Sequence, residues 1–510
     1  MSCDRKGFMR GPTMFRVKFE AFERNACFKL LWLIFFCIST LQGQAEIVTT
    51  LRDRLQHIFS DPELAHAQVG AMVSFVHKNK VIFSLNEKKS FLSASTLKLF
   101  TASFALDELG KEFRFETKLY YNGTIENGTL HGDLIVVGGG DPSINYFYRE
   151  NQDTTLFLKD WADAVSAAGI NKVDGLLLAD ISLFGGETVP TGWEWNDEPF
   201  DYFPQINALS FNNNCITLLI KPAKESNTLS SVKLVPDIGY LKVENRVNTV
   251  EAKANTVLEV NRKRGVNSKA YITGQIALDS STRHEGITVK KPHILFLQSF
   301  REKLKQHKIQ ICGKSKTLKM PKNYYGKNTH LLATYQSPPL IELVSHMLKK
   351  SDNLYAELIM KRLQVNMIRS SSKEKLTALL NTYLKRIPID PYSLNMADAS
   401  GGRQSFVTPE SIILLLNYLS KRPFFEKFKQ CLPIGGVDGT LQNRFINTPA
   451  YKQVFAKTGS LNGVRTLAGY VYTKNRELVA FAFMINNSKL EGPKINALID
   501  KAVIEIAREI

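Results

Sequence analysis

Ser95 and Lys98 stand three residues apart in "FLSASTLKLF", Phe91 to Phe100. On a helix, that spacing puts both side chains on one face. A serine hydroxyl is a weak nucleophile until a neighbouring base takes its proton. Lysine can be that base only when neutral, and burial beside other cations favours its neutral form. Two more residue sets have complementary chemistry. In "KKSDNLYAE", Ser351 offers a hydroxyl that can relay a proton to a leaving amine, and Asn353 a carboxamide that can hold Lys98 and donate to a substrate amide. In "AKTGSL", Lys457 and Thr458 suit a substrate carboxylate, and Gly459 would let a strand edge approach a ligand. Lys457 is also a candidate for the cation that lowers Lys98. The backbone N–H groups of Ser95 and Ser460 are the candidate donors to a developing oxyanion.

The elements around these residues can be read coarsely. "IVTTLRDRLQHIF" (47–59) has the apolar spacing of an amphipathic helix. "VGAMVSFV" and "KVIFSL" flank the polar "HKNK" as a hairpin. The Ser95 stretch then runs on as a helix, with Ser93 or Ser95 as a cap and Gly110 as its stop. From about Phe113 to about Met320 the chain is strand-like and turn-rich, with one helix predicted over Thr155–Ile170. Two Asn-Gly pairs, at Asn122 and Asn127, predict tight hairpin turns; both also match glycosylation sequons. Helices return over Pro338–Gln364 and in "SSKEKLTALLNTYLKRI" and "TPESIILLLNYLSKR". A hairpin around Lys474-Asn475-Arg476 and a helix from about Pro493 to Arg508 close the chain. The expectation is a multi-domain α/β protein: one domain with an antiparallel sheet flanked by helices, split by a large β-rich insertion. Its divisions are expected at 46–115 and 334–510 for the two halves, with 116–333 between them as two subdomains.

Composition narrows the setting. The 510 residues are 44% hydrophobic and 22% charged, enough for a substantial core. Residues 1–45 read as a secretory signal: a basic start, the apolar run "LLWLIFFCI", and small Gly43 and Ala45 before a cleavage point. Met9 and Met14 are alternative starts. The apolar run is short for a membrane span of about 20 residues, although an uncleaved anchor is the alternative reading. Cleavage would remove seven Lys/Arg of 66 and three Asp/Glu of 48, leaving a formal charge of +14. A basic exported chain suits carboxylate-rich wall polymer or, peripherally, an anionic membrane; export argues against nucleic acid. Cys215, Cys312 and Cys431 remain, allowing one disulfide at most or three buried thiols. With no C-x-x-C and no H-E-x-x-H, no zinc site is indicated.

In chain order, S-x-x-K, S-D-N and K-T-G form the combination of serine enzymes that acylate on β-lactams. The chain resembles the class C low-molecular-mass penicillin-binding proteins, the D-alanyl-D-alanine carboxypeptidase/endopeptidase type called penicillin-binding protein 4, over nearly its whole mature length. Four more segments carry the likeness: "VVGGGDPS" (136–143), "INALSFNNN" (206–214), "ADASGGRQSFVTP" (397–409) and "LPIGGVDGTLQNRF" (432–445). The resemblance implies a transpeptidase-like domain whose first two motifs are separated by two inserted domains, and Ser351 lies 256 residues after Ser95. Ser93 stands where the family usually has proline, and "DASGGRQ" where it has Asp-Gly-Ser-Gly-Leu-Ser-Arg. Both departures put fine positioning in question.

The resemblance implies a periplasmic serine DD-peptidase that hydrolyses D-Ala-D-X bonds in peptidoglycan stem peptides through an acyl-enzyme on Ser95. β-Lactams would be alternative acylating partners, no metal or organic cofactor would be needed, and a homodimer stays open. The residues themselves leave other readings. A β-lactamase shares the triplet, but no E-x-x-L-N-type loop is found. A non-catalytic wall-binding protein could keep the fold. Gly138–Gly140 read as a turn, since Pro142 and the missing G-x-x-G spacing disfavour a nucleotide loop. Asp398 either supports the site from behind or serves as a cap, and Arg403 is a candidate substrate contact.

Overall fold

The structure is a computed structural model that describes residues 50–509 except 79, 149–152, 263–268, 320–323 and 369–372. The signal-like segment 1–45 lies outside the described residues.

One five-stranded antiparallel sheet organises the two halves of the chain. Its order is 454–461, 464–472, 478–486, 68–75 and 81–85, so N- and C-terminal segments share it. Strand Leu478–Asn486 is buried along its whole length. Its period-2 alternation sorts side chains by face: Val479, Phe481, Phe483 and Ile485 pack one way, Ala480, Ala482 and Met484 the other. The large face is covered by the helix at 50–59 and by Gly492–Glu509. Leu51, Leu55, Ile58 and Phe59 supply the stripe that fixes the first of these. The small face admits a close layer of helices, Lys98–Glu108, Leu340–Lys350, Asn353–Ile368 and Pro409–Leu419. Gly110, at φ +83°, follows the end of the first helix in the left-handed conformation.

Between the halves, residues 116–336 build a seven-stranded mixed sheet and two three-stranded sheets around their own core. Of the two Asn-Gly pairs in this region, Asn127-Gly128 alone makes a hairpin turn. Asn122-Gly123 lies inside strand Glu116–Glu126, with Gly123 opposite Gly132. There the glycines serve close backbone approach, since a Cβ on Gly123 would strike the His131 carbonyl. The region also holds a second helix, Pro292–Gln306, which the strand-like reading of 113–320 had passed over. Pro292 starts it, and Leu295, Phe296, Phe300 and Leu304 bury one face in the core. Gly138–Gly140 form a packed turn: Gly140 N donates to Ala208 O at 2.7 Å, and Ser143 N to Asp141 Oδ1 at 2.8 Å. The two insertion motifs therefore pack on each other. Among the described residues the three cysteines are free; Cys215 and Cys431 are buried and Cys312 is exposed. Among the described residues no helix is long and apolar enough to cross a membrane.

Candidate active site

Strand Phe91–Leu92 leads into a 3-10 turn, Ala94–Leu97, and this turn rather than the α-helix carries Ser95. Neither Ser93 nor Ser95 caps through its side chain: at the start of the turn, Ser93 makes no side-chain cap bond, and its carbonyl takes Thr96 Oγ1 and Thr466 Oγ1. Lys98 opens the helix proper. Residues 98 to 106 of that helix are all buried, because it runs through the centre of the domain with protein on every side. Lys98 is therefore 0% exposed although it is charged in type. Its Nζ lies 2.8 Å from Ser95 Oγ, 2.7 Å from Asn353 Oδ1 and 2.9 Å from Ser400 O. Three contacts match the three donors of an ammonium, and a neutral amine could equally accept the Ser95 proton. Burial pushes Lys98 down to about 8, against the opposing pull of Asp398, Asp352 and Glu357.

Ser351 closes helix Leu340–Lys350 in the left-handed conformation, φ +60°, and Asn353 opens the next helix. Such a backbone is costly for serine and is held here by its surroundings. Asp352 N donates to Met347 O, and Asp352 Oδ2 lies 3.4 Å from His346 Nε2. The His346 ring is stacked between Tyr355 and Tyr148 of the insertion. Asn353 holds Lys98 through its oxygen, while its Nδ2 donates to Tyr202 O, also from the insertion.

Lys457, Thr458 and Gly459 lie on Val454–Leu461, the edge strand of the sheet beside the Ser95 turn. Lys457 is 0% exposed, and its Nζ donates to Ser351 Oγ at 2.9 Å and Thr458 O at 2.7 Å. Burial first, then the nearby Lys98, holds it well below the usual lysine range. Lys457 had been expected to depress Lys98. Burial is the leading cause there, and the repulsion between the two acts on Lys457. Gly459 faces protein rather than open cleft: a Cβ would strike Thr466 Oγ1 and stand 2.9 Å from Ala94 Cβ. The absent side chain is what lets the strand lie against the nucleophile turn. Ser460 is exposed beside it and lines the cleft.

The cleft, about 510 Å³, is lined by Ser95, Ser351, Asn353 and Ser460. Its far wall comes from the insertion, with Trp193, Glu194 and Tyr202, and from Arg403, whose Nε pairs with Glu194 Oε1 at 2.7 Å. Asp398 caps no helix. It accepts the N–H groups of Ser400 (3.1 Å), Gly401 (2.7 Å) and Gly402 (2.7 Å), and that of Trp193 Nε1 (3.1 Å). That turn presents Ser400 O to Lys98. Residue reading missed the insertion wall, the Ser400 carbonyl and Glu357. Of these only Glu357 left a signal, four residues after Asn353 on one helix face.

These contacts bring Lys98 onto Ser95 and Lys457 onto Ser351 across one cleft, which is the arrangement an acyl-transfer serine enzyme needs. A family comparison agrees over almost the whole described chain: the D-Ala-D-Ala carboxypeptidase 3 (S13) family matches residues 51–506. The chain belongs to that family. Among relatives of this S13 protein, a D-alanyl-D-alanine carboxypeptidase of Actinomadura sp. (strain R39) is 29% identical, over 90% of this chain and 85% of the relative. The D-alanyl-D-alanine carboxypeptidase DacB of Haemophilus influenzae is 30% identical, over 82% and 85%. The crystal structure of penicillin binding protein 4 from Haemophilus influenzae superposes with a TM-score of 0.72 at 27% identity, covering 88% of this chain and 97% of that one. Its complex with a β-lactam superposes with a TM-score of 0.67.

Proposed function

We propose that this S13 protein is an exported serine DD-peptidase, a D-alanyl-D-alanine carboxypeptidase or endopeptidase acting on peptidoglycan stem peptides in the periplasm. Lys98 takes the Ser95 proton as Oγ attacks the carbonyl of a D-Ala-D-X bond. The N–H groups of Ser95 and Ser460 receive the oxyanion. The proton passes through Ser351 to the leaving amine as the C–N bond breaks, leaving an ester on Ser95 that water hydrolyses. Lys457 and Thr458 attract the substrate carboxylate, and Asn353 holds Lys98. A β-lactam, with a strained amide and a carboxylate in like positions, acylates the same serine. The single observation carrying this reading is Lys98 Nζ at 2.8 Å from Ser95 Oγ with no solvent exposure, its proton affinity lowered by that burial. The named activities of the relatives support it.

On this reading residues 1–45 direct export, residues 46–115 and 334–510 form the transpeptidase-like domain, and 116–333 the insertion. The positive charge suits anionic wall polymer or, peripherally, membrane, and a homodimer is a further proposal that light scattering would test. The deciding experiment is mass spectrometry of penicillin-treated protein, with the adduct mapped to a peptide. A single adduct on Ser95, absent in Ser95→Ala, is expected; no adduct, or one that persists in that variant, overturns the reading.

A further inference from the structure

Glu357 lies on helix Asn353–Ile368 and is 6% exposed. Its Oε1 accepts the N–H of Ala399 at 2.9 Å. The same turn is gripped from its other side by Asp398, through the N–H groups of residues 400 to 402. Thr101 Oγ1 ties it to the Lys98 helix through Ala399 O at 2.7 Å. Held this way, the turn meets the reacting groups at two points. Ser400 O is one of the three acceptors around Lys98 Nζ. Gly401, at φ +99°, packs so tightly on the Ala94–Ser95 peptide that a Cβ would strike Ala94 O and stand 3.1 Å from Ser95 N.

We propose that Glu357 is a positioning residue for acylation: by fixing the Ala399–Gly401 turn, it sets both the Lys98 Nζ and the Ser95 backbone N–H. It lines no part of the catalytic cleft and acts only through the turn. Its charge matters as well as its bond. The groups facing it are Asp398 from the turn, Lys98 from the central helix and Lys361 from its own helix; Glu187 of the insertion shares the cavity of about 260 Å³ behind it. Burial and the adjacent Asp398 push its carboxyl up to about 8. A second carboxylate at this position would hold the proton on Lys98 and remove the base. A neutral Glu357 keeps the bond to Ala399 without that charge.

This inference rests on Ser95 as the acylated residue, so the wild-type adduct is mapped first; a wild type without a Ser95 adduct fails that reading, not this one. Penicillin acylation rates are then measured from pH 6 to 9.5 for the full chain, Glu357→Gln and Glu357→Leu, with melting curves. Glu357→Gln should stay within threefold of wild type at pH 7. Its rise in rate should move to lower pH by half a unit or more, because no charge develops to retain the Lys98 proton. Glu357→Leu should acylate at least tenfold more slowly. The proposal is overturned by a Glu357→Leu protein that acylates at the wild-type rate, by Glu357→Gln falling as far as Glu357→Leu, or by a Glu357→Gln pH profile that superimposes on wild type. Should Glu357→Leu fail to fold, the Glu357→Gln profile decides alone.

Discussion

The buried Nζ of Lys457 donates to Ser351 Oγ across 2.9 Å. Because that bond uses an oxygen lone pair, the hydroxyl proton of Ser351 stays available for transfer to a leaving amine. The left-handed backbone at Ser351 aims the hydroxyl into the cleft, where it meets Lys457 rather than capping its own helix.

Ser351→Ala should therefore slow acylation without unfolding the protein. General acid–base contributions are typically about 10²–10⁴-fold, and a loss of roughly 10² in the penicillin acylation rate is expected. Fluorescent-penicillin labelling over time, with circular dichroism as a control for folding, would test this. Labelling at the wild-type rate would remove Ser351 from the proton path.

Acylation should climb with pH. The reactive form needs Lys98 neutral, and burial brings that lysine down to about 8. Below that value the neutral fraction grows about tenfold per pH unit, and above it the fraction saturates. The second-order rate for penicillin should follow this rise between pH 6 and 8 and then flatten. A rate that falls across that range would mean that the protonated lysine is the active form.

Gly459 sets how closely the edge strand approaches the nucleophile turn. In Gly459→Ala the new methyl would collide with Thr466 Oγ1 and press on Ala94 and the Ser93 carbonyl, which stands 3.0 Å away. Overpacking of this kind costs about 1–3 kcal/mol. Relief requires Val454–Leu461 to move away from Ser95, so both stability and acylation should fall. Chemical denaturation and labelling would measure the two losses; an unchanged midpoint would show that the strand has slack.

The three motifs were legible because each is local: a nucleophile and base one turn apart, a tight helix junction, and a strand edge with a missing side chain. The antiparallel sheet was legible in part, since "TLAGYVYTKNRELVAFAFMIN" declares its own hairpin, Val464–Tyr472 and Leu478–Asn486. What brings these parts together is not local. Trp193 and Tyr202 reach the cleft from the insertion, Tyr202 bonding Asn353 from 151 residues earlier and Trp193 bonding Asp398 from 205 residues earlier. Asp398 read equally as a support behind the site or as a cap; only the folded turn shows three N–H groups converging on it. Asn122-Gly123 misled for a related reason. The dipeptide suits a turn, yet a paired glycine on the neighbouring strand lets the same residues cross in mid-sheet. The Pro292–Gln306 helix was hidden by a stretch of strands on either side, although Pro292 marks its start.

Burying Lys98 also makes a prediction about stability. Its proton affinity is lowered on folding, from the ordinary lysine value of 10.5 to about 8, so between these pH values the unfolded chain binds more protons than the folded one. Stability from this group then rises with pH across that window, by up to about 1.4 kcal/mol per unit, and is flat below about 8 where both states are protonated. Lys98→Met removes the titration while keeping an unbranched side chain only one atom shorter. It leaves Asn353 Oδ1 and Ser400 O without their donor, a cost that does not vary with pH. Groups away from the site titrate alike in both proteins and cancel in the difference; Lys457 and Glu357, which feel the Lys98 charge, titrate differently in the variant, and both changes widen the gap in the same direction. The unfolding free energy of wild type minus that of Lys98→Met should therefore grow from pH 8 to pH 10, while penicillin acylation is lost in the variant at every pH. Urea titrations at half-unit intervals would measure the difference. A constant gap across that range would show that Lys98 keeps an ordinary proton affinity in the folded protein, and would leave the enzyme without its base at neutral pH.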